Sequence, residues 1–293
     1  MVNSERHSQF ESPLRYPGGK ACIFPFISNL FYENGLIGAD YAEPYAGGSG
    51  LALKLLFNEY VNQIHINDYD YLVFSFWKSI LESNERFCDW VEDVRVDIDN
   101  WNFYKSVQKN PSGFSQFELG QALFFLNRTN ISGVIKGGPI GGAGQKGKYK
   151  ITARFNKTDL IKRIERISKF KHRINISNHD GINFIRQLNQ RKQNTFIYLD
   201  PPYVHKGADL YMNYFKKKDH EKLARQVDKI DHKWLVSYDN NDFILKLYSN
   251  QRKLRYSLSQ SASNRVGNEI LVFSDQLKFE KSTKKLKNVQ MIK

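Results

Sequence analysis

Cysteine is scarce in this chain of 293 residues, which carries only Cys22 and Cys88. Two thiols so far apart supply neither a disulfide framework nor a Cys-built metal site, and they read as free thiols of a reducing compartment. The seven histidines are scattered, with no His/Cys/acid spacing that resembles a metal centre, so no metal is expected. Long hydrophobic runs are also missing. No stretch approaches the ~18 apolar residues of a spanning helix. Residues 1–9 are polar and lack the apolar core of a secretion signal. Neither secretion nor membrane contact is expected, and the cytoplasm is the default compartment. Acidic residues fall short as well. Thirty Asp and Glu face 44 Lys and Arg, for a net charge of +14. That imbalance favours a polyanionic partner, nucleic acid first.

The chain is otherwise globular in proportion, 41% hydrophobic, 25% charged and 14% aromatic. Its length allows about two domains, or one large one, with a sizeable core. The segment LRYPGGK, 14–20, reads as a loop because its Pro-Gly-Gly suits neither a helix nor a central strand. A helix is predicted over 22–30. Strand candidates at 39–43 and 63–67 flank a glycine turn and a helix over 51–60, which together make a βαβ unit. From 70 to about 170 the pattern is mainly helical. Leu119–Leu126 is a strong helical piece, and Asn156 caps an amphipathic run with Asp159 at its third position. The run 132–149 breaks the pattern with seven glycines and a proline, and will not fold regularly on its own. Further strand signals stand at 173–177, 195–199, 233–237, 254–259 and 269–274, the last two as a closing antiparallel pair. A helix is predicted over 219–230. The lysine-rich stretch 278–293 is expected to fray. The predicted fold is α/β: one open sheet built from both ends of the chain, 1–70 and 171–293, with a mainly helical block, 71–170, inserted after its second strand.

Two segments carry chemistry. AEPYAGGSG, 42–50, follows a strand and precedes a helix, so Gly47, Gly48 and Gly50 permit a tight turn and close approach of a ligand. It does not close as a P-loop, with no Lys-Ser/Thr pair. Glu43 and Pro44 crowd the place where a nucleotide pyrophosphate would sit. A carboxylate there repels phosphate but suits a cationic, hydroxylated ligand such as S-adenosylmethionine. The alternative is a purely structural turn. Asp68, about twenty residues on, stands where an acid binds ribose hydroxyls. Asp180, after the third strand, can accept from an adenine amino group. The second segment is FIYLDPPY, 196–203. It places Asp200 at the end of a hydrophobic strand. Pro201 and Pro202 then fix the chain and present carbonyls, and Tyr203 supplies a flat ring. The set suits a planar amine, with Asp200 accepting one N–H, a proline carbonyl the other, and Tyr203 stacking on the base. No cysteine follows a proline, so carbon-5 cytosine chemistry has no nucleophile here.

These segments resemble the Dam-like adenine-N6 DNA methyltransferases, the alpha group of amino methyltransferases. LRYPGGK looks like the family's N-terminal cofactor motif, AEPYAGGSG like its glycine-rich motif, INDYD like its ribose-binding stretch and DPPY like its catalytic motif. NRTNISG and YFKKKDHEKLA are further echoes, and the resemblance covers nearly the whole chain. It implies a Rossmann-like class I methyltransferase sheet with an inserted, mainly helical target-recognition domain. It also implies S-adenosyl-L-methionine as cofactor. Tyr16, Gly19, Lys20, Glu43, Pro44, Tyr45, Gly47, Gly48, Gly50, Asp68, Asp180 and Asp200 would lie around that cofactor. Asp200, Pro201, Pro202 and Tyr203 would be catalytic. The chain departs from members that read GATC, lacking their RYN-type stretch after the NR segment, so that specificity is not carried over. Gly181 stands where the family has an aromatic.

Residues 131–157 contain no acid but carry Lys136, Lys146, Lys148, Lys150, Arg154 and Lys157. Flexible glycines with uncompensated positive charge suit a phosphate-lined groove. Arg128 and Asn130 precede this loop and are expected at bases or backbone, while Tyr211, Tyr214 and residues 216–218 are expected near the flipped base. The implied activity is methyl transfer to adenine N6 in double-stranded DNA, by a monomer, with a restriction endonuclease as a functional partner. Cytosine-N4 or RNA amino methylation, and a non-catalytic nucleic-acid-binding protein, are the alternatives.

Overall fold

The computed structural model describes residues 11–16, 18–204, 215–260 and 265–292. Its strands are β1 Asp40–Glu43, β2 Ile64–Asn67, β3 Ile174–Ser177, β4 Thr195–Leu199, β5 Trp234–Asp239, β6 Arg252–Gln260, β7 Arg265–Phe273 and β8 Lys287–Ile292. They form one sheet in the order β3-β2-β1-β4-β5-β7-β6-β8. The first five are parallel, and β7 enters antiparallel between β5 and β6. This is the Rossmann-like order expected of class I methyltransferases. The described helices are α1 Phe24–Asn34, α2 Gly50–Phe57, α3 Tyr71–Glu82, α4 Asn84–Asp93, α5 Ile98–Lys109, α6 Gln116–Thr129, α7 Lys157–Lys169, α8 Gly181–Asn189, α9 Lys217–Val227 and α10 Asp242–Leu247.

Strand residues alternate between two apolar layers. Tyr41, Phe196, Tyr198, Leu235, Leu254 and Leu271 join α1 to α3 on one face. Ala42, Ile197, Leu199, Val236, Ile270 and Val272 join α8 to α10 on the other. Helices on both faces explain why the parallel strands read as continuous apolar runs. The inserted helices α3 to α7 share the first of these cores, which runs on through Phe76, Phe87, Phe124 and Ile164. Local caps start α6 and α7, and the one at Asn156 is where the sequence predicts. Ser115 accepts from the Glu118 amide and Glu118 accepts from the Ser115 amide, a capping box for α6. Asn156 Oδ1 accepts from the Asp159 amide at the start of α7.

One expectation fails at the C-terminus. Instead of fraying, residues 282–285 form a 3₁₀ turn and β8 pairs antiparallel with the outer edge of β6. The abundance of lysine hides the apolar spacing that makes this possible, since Leu286 and Val289 pack against the core. Glu33 on α1 anchors the turn by accepting from the Ser282 amide and hydroxyl.

Candidate active site

The strand order reverses between β1 and β4, and open α/β sheets bind ligands in the crevice at such a point. Glu43 ends β1 and Asp200 follows β4, so the two chemical segments of the sequence meet there. The turn after Glu43 is held from three sides. Asp68 Oδ2 accepts from the Gly47 amide at 2.8 Å, and Trp77 Nε1 donates to the Gly47 carbonyl at 2.9 Å. Tyr16 lies against the third side. A Cβ on Gly47, whose φ is 46°, would come within 2.6 Å of the Tyr16 ring, so only glycine fits. Gly48 also faces Tyr16, and Gly50 opens α2.

The acids fit a ligand without phosphate. Burial pushes the Glu43 carboxyl up to about 8, against the pull of the Tyr41 hydroxyl, which donates to it at 2.8 Å. Burial, with Asp70 adding to it, pushes Asp68 up to about 7. Asp180 engages the first amides of α8 through Oδ1. Carboxyl groups at the ends of β1, β2 and β3 can hydrogen-bond hydroxyls, and Glu43 and Asp68 gain from giving up their protons when an ammonium or sulfonium arrives. Tyr45 settles the Gly181 departure. Its ring fills the space above Gly181, where a Cβ would stand 2.6 Å away, and meets Phe215 edge-on at 5.7 Å. An aromatic at 181 has no room because Tyr45 already occupies it.

Asp200, half-buried, meets a charge network whose other members, Lys20 and Glu269, are buried. Lys20 Nζ donates to both of its oxygens at 2.9 Å, to the Gly18 carbonyl at 3.0 Å and to the Tyr203 hydroxyl at 2.6 Å. Ser237 Oγ donates to Asp200 Oδ1 at 2.8 Å and takes the Tyr198 hydroxyl at the same distance. Tyr203 in turn donates to Glu269 Oε1, and Tyr256 donates to Glu269 Oε2. Burial alone would lower the Lys20 pKa, but Asp200 and Glu269 overcome it and raise it well above the ordinary value. Burial raises Asp200, while Lys20 and Ser237 pull it back toward the carboxylate range. The proton therefore sits on the lysine. Tyr203 differs from its expected role as an open stacking ring. It is buried, with its hydroxyl locked between Lys20 and Glu269.

A family model described as D12 class N6 adenine-specific DNA methyltransferase matches residues 16–262. The chain belongs to this family. Methylation of adenine N6 in DNA is accordingly its activity. The chain is also similar to the Type II methyltransferase M.CviBI of Paramecium bursaria Chlorella virus NC1A, with 24% identity over 238 residues, covering 78% of this chain and 85% of that protein. Among solved structures it is similar to a putative methyltransferase, yhhF, from Escherichia coli, at 10% identity and a TM-score of 0.37 over 89% of this chain and 91% of that one, a likeness too slight to bear on fold or function.

In this methyltransferase two expected DNA contacts turn inward. Arg128 is buried and donates to the Arg154 and Pro13 carbonyls. Asn130 is fully buried, accepts from Trp101 Nε1 and donates to the Val134 and Ile135 carbonyls. Their polarity suggested a surface role, yet they close the end of α6 over the N-terminal loop. Asn127, missed in the sequence, completes the clasp by bonding both the amide and the carbonyl of Arg15. Lys136, Lys146, Lys148, Lys150 and Arg154 stay exposed. Gln145 pins the glycine-rich loop, donating to the Ile140 and Gly142 carbonyls and accepting from the Ile151 amide. Beside it Arg15, Lys148, Tyr149 and Arg154 line a cavity of about 340 Å³. Residues 216–218 are exposed at the start of α9, and Tyr211 and Tyr214 lie outside the described residues. Glu269, Ser237 and Tyr256 were also missed, since each stands on a strand with no local motif, and Tyr198, inside FIYLDPPY, reads there only as a strand residue. Among the described residues no group of three His, Cys, Asp or Glu could hold a metal, and no helix is long and apolar enough to cross a membrane.

Proposed function

We propose that the enzyme uses S-adenosyl-L-methionine to methylate an adenine flipped out of double-stranded DNA. The juncture of the glycine turn and Asp200 at the switch point carries this reading. Glu43, Asp68 and Asp180 receive the cationic and hydroxylated parts of the cofactor, with Tyr16, Gly19, Pro44, Tyr45, Gly47, Gly48 and Gly50 shaping the walls. Bound there, the cofactor supplies the methyl group, its C–S bond breaking toward sulfur as the amine forms the N–C bond. Asp200 and a proline carbonyl of Pro201-Pro202 accept the two N6 hydrogens and aim the nitrogen lone pair. Flipping is required because N6 inside the duplex is out of reach of a cofactor in this crevice.

Lys136, Lys146, Lys148, Lys150 and Arg154 hold the duplex backbone, and the inserted helices carry target recognition. The likeness to a type II methyltransferase supports a modification role beside a restriction endonuclease. The free thiols Cys22 and Cys88 suit a reducing cytoplasm, and a monomer suffices for this chemistry. The test is nucleoside analysis of DNA after reaction with methyl-labelled cofactor. Label is expected in N6-methyladenine, Asp200→Ala is expected to abolish it, and DNA binding by that variant is expected to persist. Label in cytosine, or full activity of Asp200→Ala, would overturn the assignment.

A further inference from the structure

The site holds a cation where the reaction needs none. Lys20 Nζ rests 2.9 Å from both Asp200 oxygens, the carboxylate that must accept the adenine amine. As N6 takes the methyl group it passes from neutral to cationic before it sheds a proton to Asp200 and on to solvent. An ammonium on the same carboxylate opposes that charge and blocks acceptor lone pairs. A second carboxylate stands ready. Glu269 Oε2 is 3.8 Å from Lys20 Nζ, and a shift of about 1 Å brings the pair to charge-assisted hydrogen-bond distance. Glu269 is itself immobilised. It is 2% exposed, and Tyr203 and Tyr256 satisfy its two oxygens. Tyr203, which touches both Lys20 and Glu269, guides the path between the two acids.

We propose that Glu269 is a positioning residue that draws Lys20 away from Asp200 when the adenine amine arrives, uncovering the carboxylate for N6. This rests on the methyl-transfer reading above. Other charged and titratable groups also surround the pair. Tyr198 on β4, Asp239 opposite Glu269 on β5, Tyr256 on β6 and Cys22 on the Lys20 turn face it. None of these supplies a second carboxylate within 4 Å of Lys20.

Glu269→Gln keeps the shape and deletes the charge, and its amide oxygen can still accept from one of the two tyrosine hydroxyls. Single-turnover methylation by this variant is expected to fall about tenfold near neutral pH, with cofactor and DNA affinity within about twofold of wild type. The defect should shrink as pH rises, because without Glu269 the lysine loses its proton more readily and releases Asp200. Glu269→Asp, which retains the charge, should recover most of the rate. A wild-type rate in Glu269→Gln would overturn the proposal. So would a loss that is equal at every pH and matched by weaker cofactor binding, the signature of a merely structural role. If Glu269→Gln does not fold, a crystal structure of the wild-type enzyme with DNA and a non-reactive cofactor analogue decides. Lys20 should then bond Glu269 and lie beyond 4 Å from Asp200. Lys20 still seated on Asp200 beside a flipped adenine would end the idea. A wild-type enzyme that methylates adenine while the variant result fails separates this proposal from the reading beneath it.

Discussion

Two carboxyls at the switch-point crevice are pushed far above their ordinary range, and both shifts arise first from burial. Glu43 is pushed up to about 8 and Asp68 to about 7. Both therefore bind protons more tightly in the folded enzyme than in the unfolded chain. Their contribution to stability is present at low pH and is lost as pH rises through about 7 and about 8. A ligand bearing an ammonium and a sulfonium has the opposite preference, since it favours the ionised acids. Cofactor affinity is thus expected to rise across that same window, with protons released on binding. Calorimetry in buffers of different ionisation enthalpy measures the release directly, and a proton-neutral, pH-independent affinity would show that neither acid faces the ligand. Asp200, Glu43, Asp68 and the turn glycines were legible because a motif places each at a strand end. Glu269 was not. A lone glutamate in RVGNEILVF carries no mark of the Tyr203 hydroxyl it will meet, 66 positions away.

At the scale of elements, the end of α6 and the N-terminal loop behave as one piece. Asn127 bonds both backbone groups of Arg15, and Gly133 packs against the Arg15 carbonyl with a φ of 76°. A Cβ at 133 would collide with that oxygen. Gly133→Ala is therefore expected to cost about 1–3 kcal/mol, read as a melting temperature lower by roughly 2–4 °C per kcal/mol. Methylation should weaken with it, because the same loop carries Tyr16 and Lys20 to the site. Gly138→Ala is the control, since a Cβ there meets nothing within 4 Å. Equal melting of the two variants would refute the clasp. The sequence shows NRTNISG as a polar stretch next to a basic loop, and polarity beside charge reads as a binding surface. Burial decides otherwise, because the carbonyls at the end of α6 and in the loop need internal partners once covered.

Over the whole molecule, 44 basic residues against 30 acidic ones put a net +14 on the chain. The exposed loop lysines hold part of that excess. Replacing Lys146, Lys148 and Lys150 with Gln is expected to weaken DNA binding and to flatten its salt dependence, by about 0.9 in log–log slope for each phosphate that the loop ceases to neutralise. An unchanged slope in filter-binding or anisotropy titrations would remove the loop from the interface. What the linear sequence settled is the α/β class, the order of the strands along the chain and the acids at their ends, because these depend on short-range periodicity and turn chemistry. It settled the family for the same reason, since the motifs are local. The strand order across the sheet, the capture of the lysine-rich tail as an eighth strand, the inward turn of Arg128 and Asn130, and the lysine shared between Asp200 and Glu269 were left to the tertiary structure. Each of those depends on which distant groups share a buried space, and burial forces polar atoms to find partners that no local pattern announces.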